Sequence, residues 1–145
     1  MTTANDSSPE PLQYHKPLPV PSDVSRPFWE GLRSREVRLQ RCRTCARFVF
    51  YPRRLCPFCL SEDLEWARAS GRGKVYSYTI VRRAMHPAFQ ADVPYVFAIV
   101  ELEEGPRLAT NVVNCRPEDV RVDMPVKASY HDITPEITLL TFEPS

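Results

Sequence analysis

Only four glycines and three histidines stand among 145 residues, and three lysines are set against sixteen arginines. So few glycines leave no glycine-rich loop to cradle a phosphate. So few histidines leave little material for general acid–base work: His15 lies near the N-terminus, His86 in a loop before Pro87, and His131 beside Asp132. No long apolar run is present either. The longest, around Tyr95 to Val100, falls far short of the ~20 residues a membrane-spanning helix requires. The formal charge is +1, so no field of one sign drives the whole molecule onto nucleic acid or an anionic membrane. The opening MTTANDSSPE has neither a basic start nor an apolar stretch, and so reads as no secretory signal; a reducing cytoplasm is the expectation. Five cysteines, an odd number, fit a disulfide framework poorly and favour metal ligation.

Proline, by contrast, is abundant at 15, and with so little glycine it argues for short strands and extended segments rather than a helical bundle. A mass of 16.7 kDa allows one domain or two very small ones, and 43% hydrophobic with 26% charged residues is enough to bury a core. Residues 1–22 carry Pro9, Pro11, Pro17, Pro19 and Pro21 and read as a flexible or extended arm. Residues 23–66 read as a helix followed by a ribbon. Ser22 or Asp23 is the expected cap, with Val24, Phe28, Leu32 and Trp29 at helical spacing and an end at Gly31 or Arg35. Glu36–Gln40 and Phe48–Tyr51 read as a strand and its return.

Gly71 and Gly73 mark a junction over residues 67–73. Residues 74–145 then read as five strands: Lys74–Arg83, Tyr95–Glu103, Arg107–Val113, Val126–His131 and Ile137–Phe142. Glu104-Gly105-Pro106 is a tight hairpin turn, and residues 117–122 form a helical turn between the third and fourth of these strands. Five strands in so short a stretch favour a closed barrel of the OB type, which removes the edges an open sheet would leave.

Cys42-Arg43-Thr44-Cys45 and Cys56-Pro57-Phe58-Cys59 are two Cys-x-x-Cys knuckles with ten residues between them. A tight turn lets each pair aim two thiolates at one ion, and a hairpin brings the pairs together into a tetrahedral sulfur site. Redox-active cysteines are the other reading of such pairs; two matched pairs flanking strand-like residues favour one structural zinc. A closed four-thiolate site has no open position for substrate, so it stabilises rather than catalyses. Ala46 and Leu60 occupy the positions after each second cysteine where glycine is common.

From Arg26 to Arg54 there are nine arginines and two acidic residues. This surplus either offsets the negative charge of a zinc–thiolate centre or grips phosphate, pyrophosphate or an acidic surface. The long loop after the first barrel strand carries Met85, Phe89 and Tyr95 beside Arg82 and Arg83. Apolar residues on such a loop suggest a docking surface or a ligand wall, or else a cap on the barrel. Cys115, unpaired, reads as a small hydrophobe rather than a nucleophile. Glu101 and Glu103 alternate along a strand and read as a solvated face.

Taken in order, the segments FWEGL (28–32), LQRCRTC (39–45), YPRRLCPFC (51–59), GRGKVYSYT (71–79), HPAF (86–89) and VELEEG (100–105) resemble domain-of-unknown-function family thirty-five. The likeness runs from about residue 20 to the C-terminus, with Asp123 standing where glycine is expected. It implies a mainly β fold: an N-terminal helix, a rubredoxin-like zinc ribbon and a C-terminal five-stranded OB barrel. It also implies a non-catalytic accessory subunit that joins a thiolase-like protein in a hetero-oligomer and helps position an acyl-coenzyme A substrate, as in steroid side-chain aldolases, archaeal thiolase assemblies and phloroglucinol acyltransferases. On that reading Cys42, Cys45, Cys56 and Cys59 hold zinc. Arg53, Arg54, Arg82, Arg83, His86, Phe89 and Tyr95 form the surface for the partner or for the nucleotide end of the thioester. A rival from another class is a nucleic-acid-binding ribbon and barrel, which predicts binding that weakens steeply with salt. A second is a self-sufficient enzyme built on His86.

Overall fold

The structure, a computed structural model, describes residues 15–145; the first part of the expected arm, residues 1–14, lies outside the described residues. Among the described residues one helix, α1 (Arg26–Arg33), precedes eight strands. These are β1 (Arg38–Cys42), β2 (Phe48–Val49), β3 (Leu64–Arg68), β4 (Arg72–Val81), β5 (Tyr95–Leu102), β6 (Arg107–Val112), β7 (Pro125–Asp132) and β8 (Thr138–Pro144). Short 3-10 helices lie at Pro87–Asp92 and Pro117–Asp119. No helix among the described residues is long and apolar enough to cross a membrane.

α1 starts later than the expected cap at Ser22 or Asp23. Ser25 is the N-cap, and its hydroxyl makes no capping bond; Ser22 and Ser25 instead bond each other's backbone N–H at 2.9 and 3.1 Å. Pro27 explains the shift, because proline is tolerated only in the first turn, where its missing N–H has no partner to lose. The helix buries Phe28, Gly31 and Leu32. It ends in a Schellman pair, with Glu36 N–H donating to the Gly31 carbonyl at 2.8 Å and Arg35 N–H to that of Leu32 at 3.0 Å. Arg35 accordingly takes a left-handed φ of 60°.

β1 is the centre of a three-stranded antiparallel sheet in the order β2-β1-β3. β3 is a strand that the sequence reading lacks; it pairs along the whole of β1, from Arg38↔Arg68 to Cys42↔Leu64. The remaining strands close a barrel in the order β4-β5-β6-β8-β7. Its seam is a single parallel bridge, Val112↔Phe142. Residues 69–71 join sheet to barrel, and Gly73 lies so close to β5 that a Cβ there would meet the Glu101 carbonyl at 2.4 Å.

One apolar core serves both parts. Val75, Val96, Ala98, Val100, Leu108, Val126 and Phe142 fill the barrel, and Val37, Leu39 and Ala69 from the ribbon side belong to the same buried cluster. A smaller cluster of Cys42, Val49 and Cys56 lies around the knuckles. Arg35 ties the helix end to the barrel by two 2.8 Å hydrogen bonds to the carboxylate of Asp132, at the end of β7.

Candidate metal centre and docking face

The two knuckles are built alike. In the first, Cys42 closes β1 and donates its N–H to the Arg47 carbonyl at 2.9 Å, while Ala46 N–H donates to the Cys42 carbonyl at 2.8 Å. In the second, Cys56 N–H donates to the Ser61 carbonyl at 2.9 Å and Leu60 N–H to the Cys56 carbonyl at 2.8 Å. Both turns need a left-handed residue after the second cysteine, supplied by Ala46 (φ 64°) and Leu60 (φ 63°). The Thr44 and Ser61 hydroxyls hydrogen-bond at 2.8 Å and join one knuckle to the other.

All four sulfurs lie within 4.8 Å of one another, with Cys42 and Cys59 at 3.6 Å and Cys45 and Cys56 at 3.7 Å. A tetrahedral ion with ~2.3 Å metal–sulfur bonds needs sulfur–sulfur edges of about 3.8 Å, so the cage fits zinc. Its electrostatics ask for a cation. Backbone N–H groups of Cys45 and Thr44 hold the Cys42 thiol down to about 6. At Cys59 the Ser61 N–H pulls down, but burial and the crowding of the other three thiols outweigh it and push this thiol up to about 12. Four thiols this close ionise together only around a metal. With all four positions filled by protein sulfur, the centre stabilises the fold and leaves no site for substrate.

Most of the arginine surplus is spent internally. Arg43 meets Glu65 and Asp63 at 3.0 and 3.6 Å, Arg38 meets Glu36 at 3.1 Å, and Arg26 meets Asp23 at 3.0 Å. Arg41 and Arg47 lie over the rings of Phe48 and Phe58 at 5.5 and 4.7 Å. Arg53 and Arg54 are exposed and line a shallow depression of about 640 Å³ with Gln40, Leu55 and Trp66. Gln40, a residue the sequence reading passed over, is buried and positions this loop. Its amide donates to the Arg53 carbonyl and accepts from the Arg53 N–H, both at 2.7 Å.

The loop after β4 is ordered by its own histidine. His86 Nδ1 accepts from Ala88 N–H at 3.0 Å, which caps the 3-10 turn, and its ring meets Phe89 edge-on at 6.1 Å. Phe89 and Tyr95 face one cleft of about 550 Å³ together with Lys16, Asp92, Tyr130 and Leu139. Lys16 pairs with Asp92 and lies over the Phe89 ring at 5.5 Å. Arg82 and Arg83 are exposed at the end of β4. Of the seven residues proposed for one surface, Arg53 and Arg54 line the depression, Phe89 and Tyr95 line the cleft, His86 caps the turn that carries Phe89, and Arg82 and Arg83 follow the end of β4.

A further groove, missed in the sequence, runs between α1 and the barrel. It encloses about 380 Å³ lined by Phe28, Trp29, Phe50, Tyr51, Leu108 and Leu140. No sequence window contains it, since its walls come from four separate stretches of chain; the aromatic content of residues 28–29 and 50–51 is the one local signal. Cys115 is half-buried. Burial first, then the Asp119 carboxylate, raises its thiol, as suits a packing residue rather than a nucleophile.

A four-cysteine rubredoxin-like ribbon run into a closed five-stranded OB barrel is the class that this fold and metal cage define. Residues 29–65 match the family model described as ChsH2, rubredoxin-like zinc ribbon domain, and residues 66–131 match ChsH2, C-terminal OB-fold domain. The chain belongs to this ChsH2-type DUF35 family. Over 81% of its length it is 41% identical to a probable enoyl-CoA hydratase alpha subunit of Thermomonospora curvata, of which it spans 37%. It is 39% identical to a DUF35 domain-containing scaffold protein of Methanocaldococcus jannaschii, covering 72% of this chain and 75% of that one. It is 33% identical, over 63% of its length and 54% of the relative's, to benzoylsuccinyl-CoA thiolase subunit BbsA of Geobacter metallireducens. Among solved structures, a chain of the Ltp2-ChsH2(DUF35) aldolase superposes with a TM-score of 0.78 at 38% identity, covering 88% of this chain and 98% of that one.

Proposed function

We propose that this chain is a non-catalytic accessory subunit of a thiolase-like complex acting on acyl-coenzyme A substrates, needed for assembly and for positioning the substrate. The observation that carries this reading is the match, over 98% of its length, to the DUF35 chain of an aldolase assembly. The kinship to a subunit of a coenzyme A thiolase points to the same substrate class. Local chemistry agrees. The four thiols face one another, His86 Nδ1 is taken by the Ala88 N–H, and the Asp132 carboxylate is taken by Arg35 and by the Thr138 hydroxyl at 2.6 Å. The groups best suited to chemistry are therefore engaged in holding the fold.

Arg53 and Arg54 stand ready for the phosphates of coenzyme A, which planar guanidinium groups bind through paired hydrogen bonds. The apolar groove beside Trp29 suits an acyl or pantetheine chain, and the cleft around Phe89 suits the partner. The test is to purify the chain with and without the thiolase-like protein of the same gene cluster, then measure zinc content, complex mass and thioester turnover. A stoichiometric, zinc-containing complex active only with both chains is expected, and Phe89→Ala is expected to raise its dissociation constant. A lone monomer that binds single-stranded nucleic acid with steep salt dependence would overturn the reading in favour of a nucleic-acid module.

A further inference from the structure

β4 is covered on its outer side over only half its length. Arg72, Gly73 and Lys74 pair with β7, and Val75 is covered by the turn before it, donating to the Met124 carbonyl at 3.0 Å and accepting from Asp123 N–H at 2.8 Å. A bulge lies between Val75 and Ser77, and beyond it the only ladder among the described residues runs to β5. The direction of the backbone groups follows from the hairpin. Leu102 N–H donates to the Pro106 carbonyl at 2.9 Å, so even-numbered residues of β5 turn their backbone toward β6 and odd-numbered ones toward β4. In register, Ser77, Thr79 and Val81 are then bonded opposite Ile99, Phe97 and Tyr95. The N–H and C=O of Tyr78 and Ile80 point out along the uncovered edge.

Apart from the bulge at its start, this edge has none of the usual protection. Proteins guard exposed edges with lysine, proline, inward charges or a bulge within the edge, yet residues 76–81, Tyr-Ser-Tyr-Thr-Ile-Val, contain neither charge nor proline. Tyr76, Ser77, Tyr78 and Thr79 are all exposed, four in a row, so neither face nor edge is shielded there. The Tyr76 ring is held in place by the Arg107 guanidinium at 3.7 Å, itself paired with Glu101 at 2.8 Å.

The charge around the edge selects its occupant. From Arg72 to Arg83 there are four cations and no carboxylate; Lys74 already pairs with Glu101 and Asp123 at 3.7 and 3.8 Å, which leaves Arg72, Arg82 and Arg83. Arg82 and Arg83 are exposed, and among the described residues neither is in an ion pair. Two copies of β4 pairing antiparallel about Tyr78, a register in which their outward backbone groups meet, would set Arg82 of one opposite Lys74 of the other, a like-charge pair that disfavours self-association.

We propose that the β4 edge from Tyr76 to Val81 receives an extended, acidic segment of the partner subunit as an added strand. Main-chain bonds to Tyr78 and Ile80 give the affinity, and carboxylates on Arg82 and Arg83 set the register. This rests on the accessory-subunit reading and names how the partner is held.

Amide hydrogen exchange on the full-length zinc-loaded chain, alone and saturated with the thiolase-like subunit, reads the edge directly. The Tyr78 and Ile80 amides are expected to exchange fast in the free chain and about tenfold or more slowly in the complex. The double variant Arg82→Glu/Arg83→Glu is expected to weaken the complex about tenfold or more at low salt and to flatten its salt dependence. Ile80→Pro, which removes an outward N–H and leaves the bonds to β5, is expected to weaken it as well. A complex in which Tyr78 and Ile80 exchange as in the free chain overturns the edge and leaves the accessory-subunit reading standing. Absence of any complex overturns both. Protection of the same amides in a self-dimer, with the partner excluded, overturns the acidic occupant.

Discussion

Ala46, Leu60 and Asp123 hold left-handed backbone at φ 64°, 63° and 66°, where a side chain crowds the following carbonyl. The first two close the cysteine knuckles and the third turns the chain into β7, so the conformation is imposed by the metal cage and by strand entry. All three were visible as places where glycine is expected and absent; the departure from pattern marks the strained residue itself. Leu60 gains little from its side chain, which is 73% exposed. Leu60→Gly and Ala46→Gly are therefore expected to stabilise the zinc-loaded protein by about 0.5–1 kcal/mol each, the relief of left-handed strain exceeding the added freedom of the unfolded chain. Urea denaturation checks this, and a loss of stability in both variants would show that the strain is not there. Asp123→Gly is expected to gain less, because aspartate tolerates the left-handed region better.

At the level of elements, the barrel strands were legible because their alternation is regular; β5 buries Val96, Ala98, Val100 and Leu102 in strict two-residue period. β3 was not legible. Leu64–Arg68 is short, charged and at best half-buried, and it becomes a strand by pairing with β1, more than twenty residues earlier in the chain. The start of α1 was misplaced because Pro27 is tolerated only in the first turn and so holds the helix start close to itself, whatever the capping preference of Ser22 or Asp23. The clasp between helix end and barrel was equally hidden, joining Arg35 to Asp132 across the whole sequence. That clasp has a pH signature. The Arg35 guanidinium first, then the Thr138 hydroxyl, hold the Asp132 carboxyl far below the usual carboxylate range. A depressed carboxylate contributes stability that is complete above its unfolded value of ~3.9 and is lost as pH falls toward the folded one. Asp132→Asn is thus expected to be less stable than the natural sequence near neutrality, with the difference shrinking steadily below about pH 4. Because both proteins carry the same thiols, acid release of metal cancels in the comparison. A difference that stays constant with pH would remove the clasp from the account.

For the molecule as a whole, the metal cage was fully legible in the spacing of four cysteines, while the cleft and the groove were not, because each draws residues such as Lys16, Phe89, Tyr130 and Leu139 from distant stretches. What joins the scales is the shared core. β1 ends in the ligand Cys42, yet it also sends Leu39 into the same buried cluster as Phe142 of the barrel, with Val37 just before it and Ala69 just after β3. Ala69 N–H donates to the Val37 carbonyl at 2.7 Å, so the sheet that the metal organises is bonded where it enters the barrel. Metal binding is then coupled to folding of the entire chain, since the ligand Cys42 and the core residue Leu39 lie on one five-residue strand. Chelating the zinc is expected to lower the single cooperative melting transition as a unit, with barrel and ribbon unfolding together, and readdition of zinc is expected to restore it. Calorimetry with near-ultraviolet circular dichroism at matched protein concentration checks this. If chelation melts the ribbon while the barrel transition keeps its temperature and enthalpy, the two share a chain and not a core.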